Sequence, residues 1–554
     1  MASQGPFVTR RVVTFGLALT FVAAPLRAQD SSAPFLRATL DAGRLPTARR
    51  ADLADVDSVI GAFYAARGDA PVWDQGQGYT QAARAAIVTL RVSDERGLDP
   101  RDYDVAQLDS LAEAAPDSIA EGRAARDLLL TVAITRYLRD LREGRVAGTP
   151  FAHVKERTPI PVVVGELQRA GSGVPLESLA REVEPHLAQY RNLLRQLARY
   201  RQLVTTLDLR PLPTRVARPG QRYAGTAELW RRLVAYGDLP SSTPYLASAR
   251  YDSVLAEGVR RFQVRHALTP DGVIGAGTRQ ALSVRPEQRV RQIELALERL
   301  RWLPSLEGQR LIVVNVPGFE LFAFDSIGGA GAPTLRMPVV IGDSFDHRTP
   351  VMLQPLTTVE FRPFWNVPRK IMQKEMLPVL AGNPLWLRRQ HMDVLGVRDS
   401  ILGDSVDAQM LAGLAAGRLR IRQQPGPWNA LGLTKFSFPN RSDIYLHGTP
   451  DTLAFTRARR DLSHGCIRVQ DPPALALWAL RDARDWDLSR IDAALTGTDT
   501  LKTSVPRGIS VLIFYTTAVA TPEGEVVFYQ DIYGHDRALQ GALRAGERGT
   551  REGI

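Results

Sequence analysis

The chain has 554 residues, 44% hydrophobic and 23% charged, a balance that excludes a disordered chain and an integral-membrane bundle, and a length that suits about three or four domains. Its single Cys excludes an intramolecular disulfide framework and any Cys-x-x-Cys zinc site. The net charge is +11, but 65 of the 70 basic residues are Arg scattered along the chain, so nucleic acid is not expected as a partner, while an anionic polymer still suits a basic surface.

Arg10 and Arg11 precede an apolar run from Val12 to Ala24, followed by Pro25-Leu26-Arg27-Ala28 and polar Gln29-Asp30. This is the secretory pattern, and its apolar core is short for a transmembrane helix. Residues 1–28 are therefore read as an export signal cleaved after Ala28, which would take the charge from +11 to +8. The expected location is the periplasm or cell envelope. Membrane association is expected only if the signal stays uncleaved.

Residues 29–215 read as a helical scaffold. Its clearest helix is Asp127 to Glu143, with Leu128, Thr131, Ile134, Thr135, Leu138 and Leu141 at helical spacing. Gly144 follows, where a left-handed residue would stop it. His153 and His186 are isolated and carry no argued role. A Pro-rich stretch from Pro211 to Gly220 reads as a linker. Residues 222–284 form a compact helical segment containing Phe262-Gln263, a tight Asp271-Gly272 turn, a buried Ile274 and a helix start near Thr278. Residues 285–309 read as a linker helix.

From 310 to 540 the period changes to two. Strands are predicted at Leu311–Val316, Phe319–Phe324, Leu335–Ile341, Thr357–Phe361, Asp443–His447, Val511–Tyr515 and Val526–Tyr529, joined largely as antiparallel hairpins. Between 367 and 440 that pattern lapses, and a stretch so long between strands reads as an inserted lid subdomain. Trp365 and Trp428 either pack such a lid over a cleft or fill its core. Residues 541–554 read as a tail. The fold class is multidomain α+β.

The lone Cys lies in Ser463-His464-Gly465-Cys466-Ile467-Arg468-Val469, and Tyr445-Leu446-His447-Gly448 ends a predicted strand upstream. A thiol nucleophile needs a base, a group to hold that base, and donors for an oxyanion. His447 supplies an imidazole, and a Gly beside the Cys permits close backbone approach. A neighbouring imidazolium would lower the thiol's pKa. A zinc site from His447, His464 and Cys466 fits by ligand type, but no fourth ligand or zinc spacing accompanies it, so no metal is expected. Neither a GxxxxGK[ST] nor an HExxH motif occurs, so no cofactor is expected either. His347 lies on a turn between strands, where it either lines the cleft or supports it. His266, His391 and His535 have no argued role.

The His447 to Arg468 block resembles the L,D-transpeptidase catalytic domain, also called the YkuD type. The run from Phe262 to Leu282 resembles a three-helix peptidoglycan-binding domain, acting either as a glycan grip or as a spacer. The domain order, together with Phe63-Tyr64, Pro71-Val-Trp73 and Arg362-Pro-Phe-Trp-Asn-Val-Pro368, resembles the large periplasmic YcbB-like transpeptidases. That resemblance implies Cys466 as nucleophile and His447 as general base, oriented by the Gly448 carbonyl. It implies backbone N–H groups around Gly465 and Cys466 as the oxyanion hole, with the Tyr445 hydroxyl as a further donor. Arg468 would hold a stem-peptide carboxylate or fix the loop, and Ser463 would bond locally. His464 would either shape the loop or activate the acceptor. Arg468, Ser463 and Trp428 are the candidate substrate-binding residues. The implied partners are peptidoglycan stem peptides, as donor and acceptor, and glycan strands.

Overall fold

The computed structural model describes residues 32–115, 119–146, 150, 155, 157–327, 332–506 and 508–545. The segment read as an export signal and His153 lie outside them. The fold is multidomain α+β, with a helical N-terminal half followed by a β-rich domain.

The helix Ala120–Glu143 is the axis of the first bundle and is buried almost all round. It begins seven residues before the expected Asp127, because Ala, Glu and Arg extend a helix readily. Gly144 ends it at φ 83° and ψ 170°, a glycine conformation but not the left-handed helical one expected. A Cβ there would sit 2.7 Å from the Trp302 ring, so only Gly fits. Asp127 holds the scaffold's entry segment. It accepts from the Tyr64 hydroxyl at 2.6 Å and from the backbone N–H groups of Val72, Trp73 and Asp74 at 2.8, 2.5 and 3.0 Å. Burial nonetheless pushes its carboxyl up to about 6. Trp73 Nε1 also donates to Thr131 Oγ1 at 2.8 Å. The Phe63-Tyr64 and Pro71-Val-Trp73 motifs thus converge on one buried carboxylate.

The helix Ala188–Thr206 packs on the helix Pro286–Arg301, and both share a core with the three helices Thr226–Tyr236, Ser253–Val264 and Ala276–Leu282. Inside the last three, the Gln263 side chain bridges the expected turn. Its Nε2 donates to Asp271 Oδ1 at 2.8 Å and its Oε1 accepts from Gly272 N–H at 2.8 Å. Thr278 sits inside the helix start, as read from the sequence, with Gly275 at the cap.

The strands are β1 (Arg310–Asn315), β2 (Glu320–Phe324), β3 (Leu335–Gly342), β4 (Met352–Pro355), β5 (Thr358–Phe361), β6 (Trp365–Asn366), β7 (Met392–Leu395), β8 (Ile401–Gly403), β9 (Arg420–Gln423), β10 (Thr434–Ser437), β11 (Leu446–His447), β12 (Asp461–Ser463), β13 (Ile467–Val469), β14 (Leu501–Ser504), β15 (Ile509–Phe514), β16 (Ala518–Ala520) and β17 (Val526–Phe528). The main sheet runs β14-β5-β10-β11-β13-β3-β2-β1-β15-β4, with β12 beside β3. It is mixed: β1 runs parallel to β15, β11 to β13 and β12 to β3, so hairpins describe only part of it. The continuous apolar run in β1 has a reason. Ile312 and Val314 face the core of this domain, while Leu311 faces the helical half along with Leu512 and Phe514 of β15. A strand covered on both sides has no polar face.

Three expected boundaries change. The insertion forms its own four-stranded sheet, β6-β9-β7-β8, around a separate apolar core. It already includes Trp365, and β10 (within the expected 367–440 lid) returns to the main sheet between β5 and β11. The main sheet also ends before 540: among the described residues β16 and β17 pair only with each other, and Val526, Phe528 and Leu539 pack into the helical core. The terminal helix His535–Ala545 runs into the expected tail. Chain-end hydrophobics here bury against a neighbouring domain, which local periodicity does not register.

Candidate active site

Strand register builds the site. Leu446 pairs with Ile467 and His447 with Arg468 in parallel. One residue earlier, Ile467 N–H donates to the Tyr445 carbonyl at 3.1 Å, which sets Tyr445 beside Cys466. Alternate residues share a face of a sheet. Tyr445, His447, Cys466 and Arg468 therefore share one face, and Leu446 and Ile467 lie on the other, in the core. On the far side of His447, β10 contributes Lys435 to the reactive face and Phe436 to the core. The expected strand from Asp443 is shorter than read. Asp443 adopts φ 52°, and Asn440 Oδ1 accepts from the N–H groups of Ser442 and Ile444, so a turn delivers the chain into β11.

His447 is buried, and its Nδ1 donates to the Gly448 carbonyl at 2.5 Å. That bond leaves Nε2 as the basic nitrogen. Burial first, then the Arg468 and Lys435 charges, push the ring down to about 3. Burial likewise pushes the Cys466 thiol up, opposed by the Tyr445 N–H and hydroxyl and by the Lys435 charge. At rest the pair is a neutral thiol and a neutral imidazole, so no imidazolium lowers the thiol's pKa. The thiol donates to the Asp443 carbonyl at 3.6 Å rather than to the His447 ring. A side-chain rotation must bring Sγ to Nε2, and such bonds commonly tighten only with substrate bound. The Lys435 ammonium lies 4.2 Å from the centre of the Tyr445 ring.

The turn before Cys466 is held from within. Ser463 Oγ donates to the Cys466 carbonyl at 2.5 Å and accepts from Gly465 N–H at 3.2 Å. Gly465 sits at φ 111°, where other residues are strained. Its N–H is thus spent on Ser463, and the Cys466 N–H is the amide left for an oxyanion. Arg468 is half-buried in the register position beside His447. Burial pushes its guanidinium below the usual arginine range, and the nearby Asp451 carboxylate only partly offsets this. A partly desolvated cation on the reactive face is placed to take a carboxylate.

His464 is engaged by the insertion and by a neighbouring ring. Its Nε2 pairs with Glu375 Oε1 of the insertion at 2.6 Å, and its ring meets that of His347 at 4.8 Å between centres. His347 Nδ1 bonds to Asp343 Oδ2 at 2.7 Å. Trp365 packs into the core of the insertion, and Trp428 stacks on His391 at 3.9 Å. Trp428 is half-exposed, and its described contacts do not include the Cys466 face. The sequence reading missed three residues. Lys435 was legible in the alternation of Thr434-Lys-Phe-Ser437, whereas Glu375 and the Asp443 carbonyl reach the site by tertiary contacts that leave no local signal. Among the described residues, no group of three or more His, Cys, Asp or Glu is placed to hold a metal.

Comparisons with known proteins give three family-model matches and one curated relative. Residues 309–505 match the family model of the L,D-transpeptidase catalytic domain, residues 58–197 that of a scaffold domain, and residues 222–282 that of a "Putative peptidoglycan binding domain". A curated protein of Haemophilus influenzae, described as "Putative L,D-transpeptidase", is 30% identical over 249 residues, 45% of this chain and 48% of that protein. The match spans about half the length of that relative. The chain carries an L,D-transpeptidase catalytic domain and a peptidoglycan-binding domain.

Proposed function

We propose that this chain, with its L,D-transpeptidase catalytic domain, is an exported enzyme of the cell envelope that forms 3→3 cross-links in peptidoglycan. The observation that carries the reading is the shared sheet face of Tyr445, His447, Cys466 and Arg468. It supplies a nucleophile, a base held in one tautomer and a cation for a carboxylate within one patch. Among the described residues, no helix is long and apolar enough to cross a membrane.

The donor is a tetrapeptide stem ending in meso-diaminopimelate and D-Ala. His447 Nε2 takes the thiol proton as Sγ attacks the carbonyl at the L-centre of diaminopimelate. The Cys466 N–H and the Tyr445 hydroxyl stabilise the oxyanion. The C–N bond breaks, the imidazolium returns its proton to the departing D-Ala amine, and a thioester remains. The side-chain amine of a second stem then gives a proton to His447 and attacks the thioester. The new amide forms and the C–S bond breaks, with the thiolate recovering its proton. Arg468 anchors a stem carboxylate.

Mass spectrometry of the purified protein with disaccharide-tetrapeptide fragments tests this. A dimer lighter than two monomers by one D-Ala is expected, with fragmentation locating the 3→3 bond. Tripeptide alone would make the enzyme a carboxypeptidase, and replacement of the terminal D-Ala by another D-amino acid would make it an exchange enzyme. No product, with Cys466 intact, would favour a wall-binding role.

The pH profile gives a second expected result. The base is active when neutral, and His447 holds its neutral form down to about pH 3. The thiol stays protonated past its ordinary range. Neither group changes state between pH 5 and 8. The second-order rate of Cys466 acylation should therefore stay within about threefold across that window, instead of falling below the ordinary His value of about 6.5. Stopped-flow acylation at constant ionic strength checks this, and an acid limb centred at about pH 6 to 7 would contradict it.

A further inference from the structure

We infer that Thr349, 116 residues upstream of Gly465 in the chain, is a positioning residue that aims the oxyanion donor of Cys466. The inference rests on the acyl-transfer reading above.

Thr349 is fully buried in the segment after β3. Its hydroxyl donates to the Gly465 carbonyl at 2.7 Å and accepts from Gly342 N–H at 2.9 Å. A threonine hydroxyl has one proton. With Gly342 N–H occupying a lone pair, that proton goes to Gly465. The Gly465–Cys466 peptide is trans and planar, so its C=O and N–H point in opposite directions. Fixing the carbonyl against Thr349, inside the protein, turns the Cys466 N–H outward. Among the described residues that N–H has no hydrogen-bond partner.

The peg is itself braced. Tyr533 Oη donates to the Gly342 carbonyl at 2.5 Å and accepts from Thr349 N–H at 3.2 Å. Gly342 admits no side chain, because a Cβ would lie 1.9 Å from the His347 carbonyl oxygen and 2.9 Å from the Gly465 Cα. The end of β3, the Thr349 segment and the reactive turn therefore pack backbone to backbone. Gly465 at φ 111° is free to rotate its peptide unless something holds the carbonyl. Ser463 holds the two neighbouring groups, the Gly465 N–H and the Cys466 carbonyl. Among the described residues, Thr349 alone holds the group between them.

The test compares two reactions of Cys466 in the full chain. Acylation by a carbapenem forms an S–C bond at a carbonyl, breaks the lactam C–N bond and moves the thiol proton to the lactam nitrogen through His447. It needs an oxyanion hole. Alkylation by iodoacetamide displaces iodide at a saturated carbon and needs none. Thr349→Val keeps the shape and removes the hydroxyl. Loss of one oxyanion donor costs about 10²- to 10³-fold. Thr349→Val should slow the maximal acylation rate about 10²-fold and leave the half-saturating carbapenem concentration within about threefold. Iodoacetamide alkylation should stay within about threefold, and Thr349→Ser should recover most of the acylation rate. Unchanged acylation in Thr349→Val would overturn the inference. So would parallel loss of both reactions, which would mark a structural role, or failure of Thr349→Ser to recover. If the unaltered protein forms no carbapenem adduct while iodoacetamide still modifies Cys466, the proposed function fails first.

Discussion

Cys466→Ala should end thioester formation and lower turnover by about 10⁴-fold or more, the scale of losing a covalent nucleophile. The thermal midpoint should stay within a few degrees. Both halves of this expectation come from the surroundings of the sulfur. Cys466 is only half-buried at the edge of the apolar core, so truncation opens little sealed volume. The thiol's own donation is a 3.6 Å contact with a backbone carbonyl, a weak bond to lose. Ser463 continues to bond the carbonyl of residue 466, which fixes the turn whatever the side chain. Intact-mass measurement after incubation with donor stem or carbapenem, beside a thermal melt, checks both halves. An adduct on Cys466→Ala would place the nucleophile elsewhere and remove the basis of the mechanism.

His447→Ala should slow acylation by at least about 100-fold, the low end of what a general base contributes. It should also destabilise the protein. The His447 ring is buried, and its removal leaves a cavity and an unpaired Gly448 carbonyl. The two effects separate with His447→Asn, whose amide N–H sits where Nδ1 does and can still donate to Gly448. That variant should recover stability but not the rate, because no basic nitrogen replaces Nε2. Acylation kinetics and melts of the three proteins decide this. An unchanged rate in His447→Ala would shift the base role to His464. The structure gives that residue a different task, since its Nε2 is bonded to Glu375 of the insertion.

The sequence by itself singled out the candidate reactive residues and an order of helical and β-rich segments. The Ser463 to Arg468 block and His447 are short runs in which residue type carries the reading, because a thiol nucleophile is activated by an adjacent imidazole. The helical half and its Asp271-Gly272 turn were legible for a similar reason: hydrophobic period and turn chemistry are local properties. Only the tertiary structure decided what lies between these pieces. Strand register put Tyr445, His447, Cys466 and Arg468 on one face, and a shift by one residue would have turned them to the opposite, core-facing side of the sheet. Burial, which depends on what covers a residue, set His447 and Cys466 as a neutral pair. The insertion kept Trp365, and β10 went back to the main sheet, because each segment joined the apolar surface or strand edge that fitted it. Thr349 and Glu375 reach the reactive turn from 116 and 89 residues away, and contacts closed by folding across such distances leave no period or motif in the chain.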